Sequence, residues 1–185
     1  MIPALIGFAI VLAIVLFWVI GTYNSLVRGR QLTMNAWSQI EVQLKRRYDL
    51  IPNLVETVKG AMAHESDTLE KVIHARNTAI NAQGVKATAS ADAALGGALT
   101  GFFGLMESYP DLKANQNMLS LQEDLQATEG KISFARQYYN DVVTSYNTRL
   151  ETFPSSIIAN STGFKSKELY ELEDRAEAEP IKVKF

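Results

Sequence analysis

The chain has 185 residues and a formal net charge of −2. This length fits one domain with a core of its own, and the near-neutral charge provides no basic field for a nucleic-acid partner. The chain has no cysteine, which excludes disulfides, thiolate nucleophiles, Cys-ligated zinc or iron–sulfur sites and a lipid anchor on Cys.

The chain begins with a long apolar segment. Ile2–Ile20 carries no charged residue and would extend about 28 Å as a helix, close to the thickness of a hydrocarbon core. Trp18 and Tyr23 fall where interfacial aromatic residues are expected. A cleaved signal peptide is disfavoured because the run is long and lacks both a basic start and a small-residue cleavage site. A soluble core helix would show a polar face. The segment predicts an uncleaved transmembrane helix.

Basic residues near this segment predict its orientation. None precedes it, whereas Arg28 and Arg30 follow closely. Since positive residues favour the cytoplasmic side, the N-terminus is expected outside and the bulk of the chain in the cytoplasm.

The rest of the chain is organised around the stretch from Ala36 to Gly60. Apolar residues before its middle recur at three- and four-residue steps, typical of one helix face: Trp37, Ile40, Leu44 and Tyr48. Asp49 fits a helix N-cap, and Pro52 would then lie in a first turn. We therefore expect one helix to end here, a tight corner, and a second helix from about Pro52 to Asn81.

Long, ordered segments resemble the LemA family. They are AWSQIEVQLKRRYDLIPNLVETVKG, the His64-Glu65 pair, and EGKISFARQYYNDVVTSYNTRLETFPS from Glu129 to Ser155. The resemblance extends from Tyr23 to about Phe164 and implies a bacterial, membrane-anchored helical bundle. It implies no reaction. A departure from the family pattern lies in the third helical segment, which contains Gly96, Gly97, Gly101 and Gly104.

That third segment is expected over Ala91–Tyr109, after a loop from Gln83 to about Ser90. Gly97 and Gly101 form a small-xxx-small pair that permits close helix packing. The alternative is a surface for membrane contact or self-association.

The fourth helix, from about Asn115 to Phe153, has the clearest periodicity and ends at Pro154. Six residues lie seven apart: Met118, Leu125, Ile132, Tyr139, Tyr146 and Phe153. A second set interleaves with them: Leu121, Thr128, Ala135, Val142 and Arg149. This heptad pattern predicts left-handed bundle packing of the coiled-coil type.

Together these patterns predict an all-α fold, in which an N-terminal transmembrane helix continues into an antiparallel four-helix bundle. We divide the chain into an anchor (1–22), a bundle (23–164) and a charged tail (165–185). Residues 165–179 are expected to be solvated helix or coil. Residues 180–185 alternate apolar and basic, which leaves disorder or strand addition to a partner's sheet as alternatives. The candidate helix-packing residues are Trp37, Pro52, Gly97, Gly101, Tyr139 and Tyr146.

The sequence offers no recognisable catalytic, cofactor or metal site. His64-Glu65 is not followed by the second histidine of a zinc motif, and His64 and His74 lie on different sides of a helix. Nucleophile-turn, phosphate-loop and dinucleotide patterns are missing. The basic cluster Lys45-Arg46-Arg47 is expected either to form intramolecular salt bridges or a solvated face, or to dock a cytoplasmic partner.

A second candidate contact lies in FPSSIIANSTGFKSK, residues 153–167. A fourth helix that returns to the bilayer would present Ile157, Ile158 and Phe164 beside Lys165 and Lys167. Such a surface suits anionic headgroups, and the alternative is that its apolar residues only cap the bundle.

We therefore predict a non-catalytic, membrane-anchored scaffold or adaptor in the bacterial cell membrane, without a cofactor or a nucleic-acid partner. The expected partners are the lipid bilayer and a protein that the sequence does not identify. The alternative is a self-assembling homo-oligomer that organises or remodels membranes.

Overall fold

The computed structural model describes residues 2–171, apart from the side chain of Ala4. Within this range all regular secondary structure is helical, which confirms the all-α prediction. The helices are α1 (Ile2–Val58), α2 (Ser66–Asn81), α3 (Val85–Met106), α4 (Pro110–Lys113), α5 (Gln116–Glu151) and α6 (Ser155–Thr162). The antiparallel four-helix arrangement and the boundaries of anchor, bundle and tail stay predictions.

Helix α1 carries the apolar segment and continues through the predicted membrane exit without a break, as expected. Its N-terminal part is long and apolar enough to cross a membrane, and the most apolar window of the helix contains no buried residue. A core helix of a soluble protein would bury such residues. This part of α1 is therefore a candidate membrane span.

The predicted corner at Asp49 and Pro52 is wrong, because α1 runs through Pro52 and ends only at Val58. Proline lacks the N–H that would bond the carbonyl four residues earlier, which normally ends or kinks a helix. Here that carbonyl belongs to Tyr48, and Arg76 of α2 donates its Nε–H to it at 2.7 Å. The side chain replaces the missing backbone donor, so the helix continues. The turn between α1 and α2 lies at residues 59–65 instead.

Contacts group the described chain into two compact units. Unit 1 consists of residues 2–38 and 137–169, and unit 2 of residues 39–136 and 170–171. In unit 1 the core contains five buried residues from α1, α5 and α6, with Val19 and Phe164 packed against them: Leu26, Tyr146, Leu150, Ile158 and Ala159. In unit 2 the buried apolar residues come from α1, α2, α3, α4 and α5 and include Ile51, Leu54, Val72, Phe102 and Ile132.

Helix α3 begins at Val85, earlier than predicted, and passes through its four glycines unbroken. The preceding turn is short because Gly84 adopts a φ of +84°, which side-chain-bearing residues rarely accept. Gly97 and Gly101 are exposed, and an added Cβ at either would have nothing within 4 Å. Close packing through these glycines within residues 2–171 is therefore wrong.

Helix α5 confirms most of the heptad positions. Met118, Leu125, Ile132, Tyr139 and Tyr146 are buried, whereas Phe153 lies beyond the helix and is exposed. In the interleaved set the buried position moves by one residue near the C-terminal end of α5. Val143 and Leu150 are buried there, and Val142 and Arg149 are not. A straight helix drifts relative to a strict seven-residue repeat, which accounts for the shift. Coiled-coil packing itself stays a prediction.

The tail is described as far as residue 171 and contains no helix there, although Tyr170 is buried. The rest of the tail, with the proposed strand at 180–185, lies outside the described residues.

Candidate functional site

The main polar feature of unit 2 is an ionic cluster around Asp92 of α3, whose side chain is completely buried. Arg47 of α1 donates from Nη1 to its Oδ1 at 3.0 Å. Arg136 of α5 pairs through Nη2 with Oδ2, and the Tyr170 hydroxyl donates to the same oxygen at 3.3 Å. The Arg136 guanidinium also lies over the Tyr170 ring, 4.9 Å from its centroid. A buried carboxylate needs such donors to offset its desolvation.

Arg47 makes a second contact at the edge of this cluster. Its Nη1 lies 2.8 Å from Oε2 of Glu129, a side chain that is half exposed. Gly96 lies close by, since a Cβ added there would sit 3.7 Å from Nη2 of Arg47. An open cleft of about 410 Å³ lies at this edge, with walls from Leu99, Phe103 and other residues of α3 and α5.

Two tyrosines that feel the charge of Asp92, Tyr48 and Tyr170, are held in their neutral form. Burial, followed by the charge of Asp92, raises the pKa of Tyr48 to about 12. Burial and Asp92 also raise the pKa of Tyr170 well above its usual value. Neither phenol therefore supplies a phenolate base or nucleophile near neutral pH. The hydroxyl of Tyr48 and the Nε of Arg136 are buried without a hydrogen-bond partner in the described structure. The ion pairs of Asp92 with Arg47 and Arg136 connect α1, α3 and α5.

The structure divides the predicted cluster Lys45-Arg46-Arg47. Arg47 is buried and ion-paired within the chain, while Lys45 and Arg46 are exposed. Arg47 follows Leu44 by three residues and precedes Ile51 by four, so helical spacing places it on the buried face. The intramolecular salt bridges left open by the sequence therefore form at Arg47. Docking of a partner at Lys45 and Arg46 stays a prediction.

Asp92 was missed by the sequence analysis. It precedes the uncharged stretch of α3 and shares a helix face with Leu95 and Leu99, both buried. The sequence signal for this pair was one acidic residue, Asp92, on an apolar helix face and one arginine, Arg47, on the buried face of α1. That signal identifies two residues that could pair, but it does not give the distance between them.

Lys45 borders a second open cleft, of about 360 Å³, lined by α1, α2 and the start of α3. The α1 residues Glu41 and Asp49 contribute acidic side chains, and Ile80 and Leu44 contribute apolar walls. The cleft is mixed in charge, because Lys45 lines it together with these two acidic side chains.

The candidate lipid contacts in the C-terminal part are also divided. Ile158 is buried and Phe164 is half buried, with its ring 5.8 Å from Tyr23 in an edge-on contact and 5.2 Å from the Arg30 guanidinium. These two residues close the core of unit 1, as the capping alternative predicts. Ile157, Lys165 and Lys167 are exposed.

The aromatic packing candidates lie in unit 1. Trp37 is half buried and meets Tyr139 edge-on, with ring centroids 5.5 Å apart. Tyr139 and Tyr146 are buried, and the Tyr139 hydroxyl donates to the Glu168 carbonyl at 2.9 Å. Pro52 is exposed within α1. Because Pro52 has no N–H, the Tyr48 carbonyl is available to accept the hydrogen bond from Arg76.

The histidines lie apart from the ionic cluster. His64 and His74 are both exposed, and His74 borders an open cleft between α2 and α3. Across residues 2–171, no group of three His, Cys, Asp or Glu side chains is arranged to hold a metal ion.

Comparison with known proteins identifies relatives of the chain. It is 29% identical over 156 residues to Protein LemA of Metamycoplasma hominis, covering 82% of this chain and 70% of that protein. It is 25% identical over 175 residues to magnetosome protein MamQ 2 of Paramagnetospirillum magneticum, covering 80% of this chain and 64% of the relative. MamQ of Magnetospirillum gryphiswaldense is 24% identical, with 64% of its length covered. The chain thus spans less than two thirds of the MamQ proteins.

The LemA family model matches residues 36–185. This match includes the last part of α1 and everything that follows it. Together with the candidate span in α1, it describes a membrane-associated helical protein. The chain belongs to the LemA family.

Proposed function

We propose that the chain is a non-catalytic scaffold or adaptor, anchored in the membrane by the first part of α1, with its remaining helices in the cytoplasm. The supporting observation is that the charge of Asp92 is neutralised within the chain. Asp92 is the only buried carboxylate among residues 2–171, and its two oxygens are bound by two arginines and a tyrosine. The buried ion pairs of unit 2 therefore join α3 to α1 and α5.

The exposed pair Lys45 and Arg46 is the proposed docking surface for a protein partner. Their neighbour Arg47 is fixed by its own ion pairs, so the backbone that presents the two cations is held in place. A partner segment that carries acidic residues would complement them, since opposite charges steer association and fix register. The orientation of the anchor rests on Arg28 and Arg30.

The second candidate is a homo-oligomer that organises membranes. The exposed surface of α3 carries Gly97, Gly101 and Gly104, three small residues on one helix face with open space above each. Such a face permits close approach of another helix. The names of the MamQ relatives describe them as magnetosome proteins, and this candidate gives the chain a comparable role in a membrane structure.

Carboxylate-to-amine crosslinking in native membranes tests the two candidates. A scaffold with a distinct partner should give a heterologous crosslinked species that disappears in the Lys45→Glu, Arg46→Glu double variant. The matched control is Lys59→Glu with Lys71→Glu, which reverses two exposed lysines elsewhere in unit 2. Equal crosslinking in both double variants would contradict docking at Lys45 and Arg46.

The homo-oligomer requires a different result from the same membranes. Its crosslinked species would contain only copies of this chain and would be lost in the Gly97→Leu, Gly101→Leu variant. Since both positions are exposed, that variant should stay folded. A monomer that yields neither species would contradict both candidates.

A further inference from the structure

In unit 1 the C-terminal half of α5 packs antiparallel against α1 in a register that three contacts define. Trp37 meets Tyr139, Gly29 meets Tyr146, and Arg149 donates from Nη1 to the Ser25 hydroxyl at 3.1 Å. Between successive contacts, the number of residues moved back along α1 is nearly the number moved forward along α5. Continued by four residues, just past the end of α5, this register places Phe153 near Gly21, directly after the apolar segment Ile2–Ile20.

Helix α6 confirms that the end of α5 reaches this level. Ile158 and Ala159 of α6 belong to the same buried cluster as Leu26 of α1 and Leu150 of α5, and Val19 packs against that cluster. Val19 lies in the last turn of the apolar segment. The corner between α5 and α6 is therefore adjacent to the C-terminal end of the candidate membrane span.

This corner exposes two large apolar side chains. Phe153 is 76% exposed and Ile157 is 56% exposed, one on each side of Pro154. Single exposed apolar residues are common on soluble surfaces. These two lie near the end of the apolar part of α1, whose most apolar window contains no buried residue. There the chain would pass from hydrocarbon to headgroups, and amphipathic elements bury their apolar residues at such a boundary.

We propose that the α5–α6 corner, through Phe153 and Ile157, inserts into the boundary between headgroups and acyl chains of the membrane that α1 spans. It forms a second, apolar attachment that limits tilting of unit 1 relative to the bilayer. This inference rests on the membrane anchoring in the proposed function but not on the scaffold role.

The contact differs from the lysine-dependent surface that the sequence predicted. The backbone of Lys167 is tied to the Asn147 side chain by two hydrogen bonds of 2.8 and 2.9 Å. Asn147 lies six residues before Phe153, or about 9 Å back along α5 and away from the membrane. Phe164 is already packed on Tyr23 and Arg30. The attachment should therefore depend on apolar side chains and resist salt.

Site-specific fluorescence tests this contact. Because the chain has no cysteine, Ile157→Cys introduces a single site for an environment-sensitive dye in the full chain. The protein is reconstituted into vesicles of phosphatidylcholine and phosphatidylglycerol, some with a nitroxide quencher near the headgroup. Tyr138→Cys is the matched control, since Tyr138 is exposed on α5 in the same unit, about 20 Å back from Phe153.

The label at position 157 should emit at shorter wavelength than the label at 138 and lose most of its fluorescence to the quencher, equally at low and high salt. Adding Phe153→Ser should weaken quenching at 157 while the chain still floats with the vesicles. Equal quenching at 157 and 138 in a chain that floats would overturn the inference. A chain that fails to float would instead contradict the anchoring on which it rests.

Discussion

Arg76 donates its Nε–H to the backbone carbonyl of Tyr48 at 2.7 Å, and this is the carbonyl that Pro52 leaves without a helical donor. The contact joins α2 to α1 in unit 2. It explains why α1 passes through a proline that the sequence pattern places at a helix start. A side chain from a neighbouring helix, distant in sequence, decides the local backbone structure.

The first prediction is that Arg76 and Pro52 are energetically coupled. Arg76→Met keeps the side chain's length but leaves the Tyr48 carbonyl without a donor, which should lower the free energy of unfolding by about 1–3 kcal/mol. Pro52→Ala restores the backbone N–H, so Arg76→Met should cost clearly less in that background. Denaturant unfolding of the four proteins in mild detergent, followed by circular dichroism, measures the coupling. Additive losses would contradict this role for Arg76.

The second prediction concerns the charge of Asp92. Asp92→Asn keeps the shape of the side chain but leaves Arg47 and Arg136 without their buried counter-charge, which should destabilise the protein by about 3–5 kcal/mol. Glu129→Gln is the matched control, because Glu129 contacts Arg47 from a half-exposed position, and its loss should stay below about 1 kcal/mol. The same unfolding assay distinguishes them. Similar losses in the two variants would mean that the cluster does not depend on the buried carboxylate.

The third prediction is an alkaline loss of stability through Tyr48. Its pKa is raised in the folded protein to about 12, so its neutral form is favoured by folding. The stability that this provides is intact below the usual tyrosine pKa near 10 and is lost as the pH rises through about 12. Tyr48→Phe also removes a buried hydroxyl that has no partner. Thermal midpoints should therefore be equal or higher for Tyr48→Phe at neutral pH, and should fall less steeply above pH 10.

The control for the alkaline fall is Tyr138→Phe, an exposed phenol on α5. It should follow the wild-type curve at every pH. A Tyr48→Phe curve that runs parallel to wild type above pH 10 would contradict the effect.

The fourth prediction contrasts two helical glycines. A Cβ added to Gly29 would lie 3.0 Å from Cδ2 of Tyr146, a side chain buried in the core of unit 1, whereas one added to Gly97 would meet nothing within 4 Å. Gly29→Ala should destabilise by about 1–3 kcal/mol through overpacking. Gly97→Ala should stabilise by up to about 1 kcal/mol because Ala favours the helix. Thermal unfolding of both variants checks the opposite signs, and a stabilising Gly29→Ala would mean that α1 and α5 are less closely packed there.

The sequence predicted those elements that local periodicity determines. The burial of Met118, Leu125, Ile132, Tyr139 and Tyr146 follows from their spacing, and α5 begins and ends within two residues of the expected positions. The apolar character of Ile2–Ile20 likewise follows from composition alone. In each case the signal lies within one helix, so no knowledge of neighbouring helices is needed.

What the sequence did not predict depends on contacts between helices. Pro52 was placed at a helix start because local sequence gives no substitute for its missing N–H. The donor that the Tyr48 carbonyl needs comes from Arg76, and only when α2 packs beside α1. Arg47 was grouped with Lys45 and Arg46 because the position of Asp92, 45 residues later, was unknown. Gly97 and Gly101 were expected either at a helix contact or at a surface for membrane contact or self-association, and in the described chain they face open space. Periodicity identifies a face but not what covers it.

Membrane topology is the most direct test of the central claim that α1 anchors the chain with its remaining helices in the cytoplasm. Lys71 is exposed on α2, and Lys71→Cys provides the only thiol in the chain. A membrane-impermeant maleimide is applied to intact cells stripped of outer barriers and, in parallel, to opened cells, and the membrane fraction is then analysed. The account predicts labelling only after the cells are opened, in protein that stays with the membranes. Labelling in intact cells would place the helices on the outer side and contradict the account.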